Sequence, residues 1–561
     1  MEADTPSYDQ RLRIGSNRSR RGCITCRTRR IKCDEQKPVC LRCTSTGRRC
    51  DYMPMPYSLR IAKQLAQMTA FVDPVESRAL EFFFHKSATH LGGYFGASFW
   101  SRMVLQLSLN EPSIRHAIAA IGLLYEAEGT WAAPVTAWQT SQTDRALHLY
   151  NRAIRAIVDK ASVGIDAVPL VITASVLFAS FEFLRQNATA AASHVMNGLN
   201  LVWTWRQHRD RPNQLEGSRA HWVDVELTPT LLCFSVNTYE HAGLKHLIRA
   251  PRKKVHALDD RGQPMLGRRF WTLPGARLSL LDLILYLIGT FQDWEELTSE
   301  ERLRRPPFMS LADSVRQAAD RWKATFEALV QRKESTWGPG ERNELDVTRL
   351  LWYCISLGTD RYRIATECGW DDMRAVFEDV IEISERLLAD SQQYPDKLSK
   401  TLNLDCQMLY PLQAVVWKCR WPHLRRRGLD LLLQIPKQEL VFSAPNYHTV
   451  CSRIMEVEES VFHLAPETAP NEDMLPPDHA RVYDFVITPT PATTTEPLVY
   501  NITFKTFPHG CNGAPLFCTE PLQLVPSQAG GTMIPVNLMK RRDWTQYDQT
   551  SDHAIGGVEE V

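Results

Sequence analysis

Six cysteines between positions 23 and 50 constrain this chain more than any other feature of it. They run Cys23-x2-Cys26-x6-Cys33-x6-Cys40-x2-Cys43-x6-Cys50, and the second half repeats the first at an offset of 17 residues. A C-x2-C turn lets two thiolates bite one tetrahedral zinc, at about 2.3 Å per bond. Two zinc ions need eight ligand positions, so six cysteines suffice only if two sulfurs serve both metals. The repeat makes that shared pair equivalent residues. A disulfide staple would need an oxidising compartment. The opening MEADTPSYDQ lacks a basic stretch followed by an apolar one, so no signal peptide is expected and the thiols should stay reduced. The matched spacers argue against six unrelated thiols. The other eight cysteines are scattered, and His509 near Cys511 and Cys518 lacks the partners for a second metal site.

The formal net charge of the 561 residues is only +1, but it is unevenly spread. Positions 11–50 hold 13 Lys/Arg against 2 acidic residues, leaving 52 basic and 62 acidic residues elsewhere. A basic module on a mildly acidic body points to a polyanionic partner for the N-terminal part alone. Within the module, Arg27, Arg29, Arg30 and Lys32 lie between Cys26 and Cys33, whereas only Arg48 and Arg49 lie between Cys43 and Cys50. Six thiolates outweigh two divalent cations, so these basic residues must also offset the cluster's own charge. A short helix starting at the first C-x2-C should therefore make the stronger contact with double-stranded DNA. Arg27 and Lys32 suit phosphates, and Arg29 and Arg30 suit base edges, where arginine can fork onto the O6 and N7 of guanine. The same basic run, RSRRG onward, can serve as a nuclear import signal; a second candidate is 249–254 (RAPRKK).

The stretch CITCRTRRIKCDEQKPVCLRCTSTGRRC, with Pro38 two residues before the fourth cysteine, resembles the Zn2Cys6 binuclear cluster of fungal transcription factors. The resemblance implies two zinc ions, with the first and fourth cysteines bridging, which here are Cys23 and Cys40. One zinc would then be held by Cys23, Cys26, Cys33 and Cys40, the other by Cys40, Cys43, Cys50 and Cys23. It also implies that the first helix enters the major groove and reads a CGG-type triplet from the positions of Arg29 and Arg30. Many members carry lysine where this chain has Arg30, a conservative departure for guanine that bears on the flanking preference. The implied function is a sequence-specific transcription factor of the RNA polymerase II system, acting in the nucleus with co-regulators.

The fold expected from the pattern is mainly α, in six stretches. Residues 1–20 read as a disordered basic lead-in, 21–52 as the cysteine module, and 53–73 as a linker. The linker's seam, Ile61, Leu65, Met68 and Val72, spans barely two heptads, short of a coiled coil, so it reads as a helix packed on the body and leaves a homodimer open. Residues 74–465 read as one all-helical domain. One helix follows the turn Asn110-Glu111-Pro112 and has Ile114, Ala117, Ile118, Ile121 and Leu124 on one face. A second has Ala146, Leu147, Tyr150, Ala153, Ile154 and Ile157; a third starts near Asp371 and turns Val376, Phe377, Val380, Ile383 and Leu387 inward. The β-rich stretches 481–488 and 498–507 flank PTPATTTEP and predict a β-hairpin within 466–515, with a flexible tail over 516–561.

The body also resembles the family. SFWSRMVLQLSLNEPSIRHAIAAIG, FASFEFLRQNATAAASHVMNGLNLV and LYPLQAVVWKCRWPHLRRRGLDLLLQIP occur in the order of its regulatory all-helical domain, over about 100–440. Regulators with such a body often serve secondary-metabolite gene clusters. The apolar stretches 167–181 and 278–291 contain Pro169 and Asp282 and fall short of the ~20 residues of a membrane span, so both read as buried helices and no membrane partner is expected. The sequons at Asn187 and Asn501 are then chance matches. No phosphate-binding loop, zinc-protease or nucleophile-elbow motif occurs, so an enzyme is not expected. The competing reading is a body that senses a small molecule or docks protein partners, as a repressor or adaptor.

Overall fold

The structure is a computed structural model. It describes residues 25–26, 29, 31–36, 40–46, 73–94, 99–128, 137–161, 164, 167–209, 223–239, 269–296, 308–364, 366–393, 402–404, 408–440, 442–465, 468–489, 500–511 and 513–525. The lead-in, the linker seam, the 249–254 basic cluster and the tail beyond 525 lie outside these. The chain divides into two compact units, Met1–Phe71 and Val72–Val561.

In the first unit, Thr25 and Cys26 are helical and α1 runs over Leu41–Thr44. Among its described residues the second unit is mainly helical up to residue 462, with three two-residue strands, and then turns to longer strands. Helix α2 (Pro74–Phe82) starts where the Asp73 carboxylate accepts the Val75 and Glu76 N–H groups, and a π-helical turn, Phe83–Ser87, continues it. Helix α3 (Val104–Asn110) is separated from α4 (Pro112–Glu128) by Glu111 alone. Pro112 disfavours a helical Glu111, whose φ of −116° and ψ of 102° break the run. All five residues expected on the inner face of α4, Ile114 through Leu124, are buried. Helix α4 packs against α2, α5 (Ala137–Ala161) and α6 (Val168–Leu184). On α5, Ala146, Tyr150, Ala153 and Ile157 are buried while Leu147 and Ile154 are only half-buried.

Helix α6 is the apolar stretch read as core, and it is buried on every side from Ile172 to Leu184. It stops by a left-handed turn: Gln186 takes φ 58°, and the Asn187 N–H returns to the Glu182 carbonyl at 2.9 Å. The Asn187 side chain then accepts the Ala190 N–H and opens α7 (Ala188–Arg209), which packs back on α6. Helices α8 (Thr228–Tyr239), α9 (Leu273–Glu296), α10 (Phe308–Lys333) and α11 (Pro339–Arg363) pack in sequence. Buried indoles pin them: Trp322 donates to the Ala276 carbonyl at 3.1 Å and Trp352 to the Ala319 carbonyl at 3.2 Å. The helix expected from Asp371 begins at Arg374, after a 3-10 turn over Glu367–Met373, and runs as α12 to Gln393 with Val376 only half-buried.

Helices α13 (Leu409–Lys418), α14 (Pro422–Gln434) and α15 (Ala444–Glu459) complete the body. Two-residue strands flank them: Leu402–Asn403 (β1), Gln438–Glu439 (β2) and Phe442–Ser443 (β3) form a small sheet. A buried ionic network holds this end together. The Glu458 carboxylate, fully enclosed, accepts from Arg420 at 2.8 Å, Arg425 at 2.7 Å and the Val482 N–H at 2.8 Å. Lys418 and Arg420 both meet Glu367, and Arg481 forks onto Asp371 at 2.8 Å. Helices α13, α14 and α15, the 3-10 turn and the start of the C-terminal sheet are thus joined by charge pairs that are buried at Glu458 and half-buried at Asp371.

The expected hairpin is present as β4 (Asp484–Pro489) and β5 (Tyr500–Thr506), antiparallel with Asp484 opposite Lys505. The tail expected from 516 is not a tail at its start: Leu516–Leu522 forms a third strand, β6, antiparallel to β5 with Thr503 opposite Thr519. Its side chains are exposed at nearly every position, so it carries no apolar alternation for a sequence reading to find. Backbone pairing, the burial of Leu522 and an Arg453–Glu520 ion pair hold it instead. Among the described residues no helix is long and apolar enough to cross a membrane.

Candidate metal centre

The C-x2-C of the second half shows why this spacing suits metal. Cys40 occupies the N-cap of α1 with extended backbone, and its Sγ accepts the Cys43 N–H at 3.4 Å. A cap residue and the third residue of the first turn face the same side, so both sulfurs converge. In the first half Thr25 and Cys26 are helical, and the chain turns back through Arg29 N–H to the Thr25 carbonyl and Ile31 N–H to the Cys26 carbonyl.

Four of the six cysteines are described, and all four are buried although their unit holds no other buried residues among those described. Cys26 Sγ lies 3.7 Å from Cys40 Sγ and 3.9 Å from Cys43 Sγ. Tetrahedral zinc with bonds of about 2.3 Å spaces its sulfurs about 3.8 Å apart. A disulfide would hold them at about 2 Å. The sulfurs of Cys26, Cys33 and Cys40 all lie within 4.8 Å of one another. Cys40 belongs by sequence to the second half yet closes on two thiols of the first, which is the placement a shared sulfur needs. The thiols present therefore fit zinc. Cys23 and Cys50 lie outside the described residues. His509, Cys511 and Cys518 form no such group: Cys511 is half-buried and Cys518 exposed.

Of the four basic residues read as DNA contacts, Lys32 is exposed and Arg29 half-buried, while Arg27 and Arg30 lie outside the described residues. Arg29 does not simply point at solvent: its Nη1 donates to Thr46 Oγ1 at 3.2 Å. Thr46 stands 17 residues on, at the repeat-equivalent position, and its hydroxyl also bonds the Arg42 carbonyl at 2.9 Å. A second contact between the halves comes from Asp34, whose carboxylate accepts the Leu41 and Arg42 N–H groups at 3.0 and 3.4 Å. The Leu41 N–H is the main cause that draws the Asp34 pKa below the ordinary carboxylate value. Sequence reading missed Asp34 and Thr46. The available signal was the offset of 17 itself, which pairs Arg29 with Thr46.

The body holds a cleft of about 220 Å³ between α10, α11 and α12. Phe326, Trp352 and Tyr353 form its aromatic wall, and Lys323 Nζ sits 3.9 Å from the centre of the Trp352 ring. The Tyr353 hydroxyl donates to Asp379 at 2.5 Å, and burial is the main cause that raises its pKa, with Asp379 adding to it.

Comparison with known proteins agrees with this geometry. Residues 21–56 match the family described as the fungal Zn(2)-Cys(6) binuclear cluster domain. The chain is 27% identical over 353 residues to the aspercryptin biosynthesis cluster-specific transcription regulator atnN of Emericella nidulans, which covers 56% of this chain and 55% of that one. It is 26% identical over 211 residues to the transcription regulator lscL of Purpureocillium lilacinum, covering 34% and 49%. A shorter match, 49% over 49 residues, is to the transcriptional regulatory protein moc3 of Schizosaccharomyces pombe, covering 9% and 10%. The chain spans about half the length of the first two relatives. None of the three is named as an enzyme, in keeping with the lack of catalytic motifs. No solved structure matches the chain. Residues 21–56 are thus a fungal Zn(2)-Cys(6) binuclear cluster domain, a domain that binds two zinc ions, in a chain related to fungal transcription regulators.

Proposed function

We propose that the chain is a sequence-specific DNA-binding transcription factor acting in the nucleus. Cys23, Cys26, Cys33, Cys40, Cys43 and Cys50 hold two zinc ions, with Cys23 and Cys40 shared. Bound there, zinc supplies the cross-links that so small a unit cannot obtain from a hydrophobic core. The observation that carries this reading is the closure of Cys26, Cys33 and Cys40 on one another, with Cys26 and Cys40 at the sulfur spacing of tetrahedral zinc, within the matched domain. Arg29 and Arg30 read a CGG-type triplet in the major groove, while Arg27 and Lys32 set register on phosphates. The relative named for a biosynthesis cluster supports control of a comparable gene set.

The test combines a zinc count on the full-length chain with duplex binding. Two zinc ions per chain are expected; one or none would sink the shared-sulfur arrangement. Arg30→Ala should lower discrimination for the triplet, by about 1 to 3 kcal/mol, whereas Lys32→Ala should weaken specific and random duplexes alike. Equal losses on both duplexes for both variants would remove the assignment.

A second reading, a helical body that senses a small molecule, is favoured by the aromatic and charged cleft between α10, α11 and α12. Lys323→Ala should then leave duplex affinity of the purified chain as it is and change target-gene output in cells. Unchanged output would exclude that use of the cleft.

A further inference from the structure

Metal ligation by itself does not explain why the acid next to Cys33, although exposed, bonds to the other half of the module. The first N–H groups of a helix have no partner within it. In α1, Cys40 Sγ takes the Cys43 N–H, and the Asp34 carboxylate takes the Leu41 and Arg42 N–H groups. The opening turn of α1 is therefore shared between a metal-site thiol of its own half and a carboxylate of the other. Asp34 follows Cys33 directly, and Leu41 follows Cys40 directly. Bonds from Asp34 to 41 and 42 consequently fix the separation of Cys33 and Cys40, two of the three thiols that close on one another. The turn between them costs something to hold, since Glu35 takes φ 60°, a conformation that side chains other than glycine adopt with strain. The Glu35 N–H in turn reaches Cys33 Sγ at 3.4 Å.

We propose that Asp34 is a positioning residue of the metal centre: it clasps the start of α1 to the first half, so that Cys33 and Cys40 present their sulfurs to the same metal. The inference rests on the zinc reading above. It explains a contact between the halves that needs no metal and that keeps two mutually repelling thiolates together. The sequence repeat puts an acid, Asp51, directly after Cys50 as Asp34 follows Cys33.

The test uses the full-length, zinc-loaded chain and follows zinc transfer to a colorimetric chelator with time. Asp34→Ala should release zinc about tenfold faster than the parent, the lower end of what hydrogen bonds to a charged acceptor supply. Asp34→Asn keeps an accepting oxygen without the charge and should fall between. Release from Asp34→Ala at the parental rate would overturn the proposal. So would Asp34→Asn releasing as fast as Asp34→Ala, because charge alone would then account for the effect. If Asp34→Ala cannot be loaded, Asp34→Asn decides: parental release refutes the clasp and faster release supports it. A parent chain that holds no zinc at all would instead fail the zinc reading and take this proposal with it.

Discussion

Replacing Glu458 by glutamine tests the part of the body whose energetics are most one-sided. Its carboxylate has no exposed surface and meets Arg420, Arg425 and the Val482 N–H. Burial pushes its pKa up, but the two guanidinium groups, the Arg420 hydrogen bonds and the Val482 N–H outweigh that and hold it at about 2. Removing the charge while keeping the shape leaves two buried cations facing a neutral amide. Breaking one partner of such a buried pair costs about 3 to 5 kcal/mol. The pKa gives a consistent figure from another direction: a fall from 4.5 to about 2 corresponds to about 3 kcal/mol. The sign follows from the direction of the shift. A carboxylate with a depressed folded-state pKa contributes stability above its unfolded value and loses it as pH falls through the folded one. Urea unfolding of parent and Glu458→Gln, followed by far-UV circular dichroism, should therefore differ by about 3 kcal/mol near neutral pH. The gap should close as pH falls from about 5 toward 2, because only the parent has a titrating group at position 458. A gap below about 1 kcal/mol, or one that does not narrow with acid, would show that the network carries less than its geometry implies.

Two further outcomes are expected. Gly122→Ala on α4 would place a Cβ 2.5 Å from the Ala79 carbonyl oxygen of α2, so the helices must part, at about 1 to 3 kcal/mol. An unchanged melting temperature would mean that α2 can move away freely. Thr46→Val should leave zinc content intact but cut the preference for specific over random duplex about threefold, since it releases the Arg29 guanidinium for less than one hydrogen bond's worth of energy. Thr46→Ser should restore the preference, and equal preference in all three proteins would show that the Arg29 contact plays no part in reading.

Much of the candidate site could be read from the chain because its chemistry is local. A thiol pair at C-x2-C converges whatever surrounds it, since the spacing matches a helix cap and its first turn, as Cys40 and Cys43 show. Helices with a one-sided apolar face, such as α5, were equally legible, since 3.6-residue periodicity is set by the sequence itself. Strand β6 was not, because edge pairing is satisfied by backbone groups that every residue carries. The late start of α12 was hidden for a related reason: the 3-10 turn before it is held by groups distant in sequence, Lys418 and Arg481 on Glu367 and Asp371.

What the sequence determined by itself was therefore the metal chemistry, the basic half of the module and the helical character of the body. Only the tertiary structure decided that Asp34 and Thr46 tie the halves together, and that Glu458 gathers arginines from α14 and the turn before it. The physical reason is reach: a thiol pair or a helical face is built from residues a few positions apart, whereas a buried charge finds its partner through the packing of the whole unit.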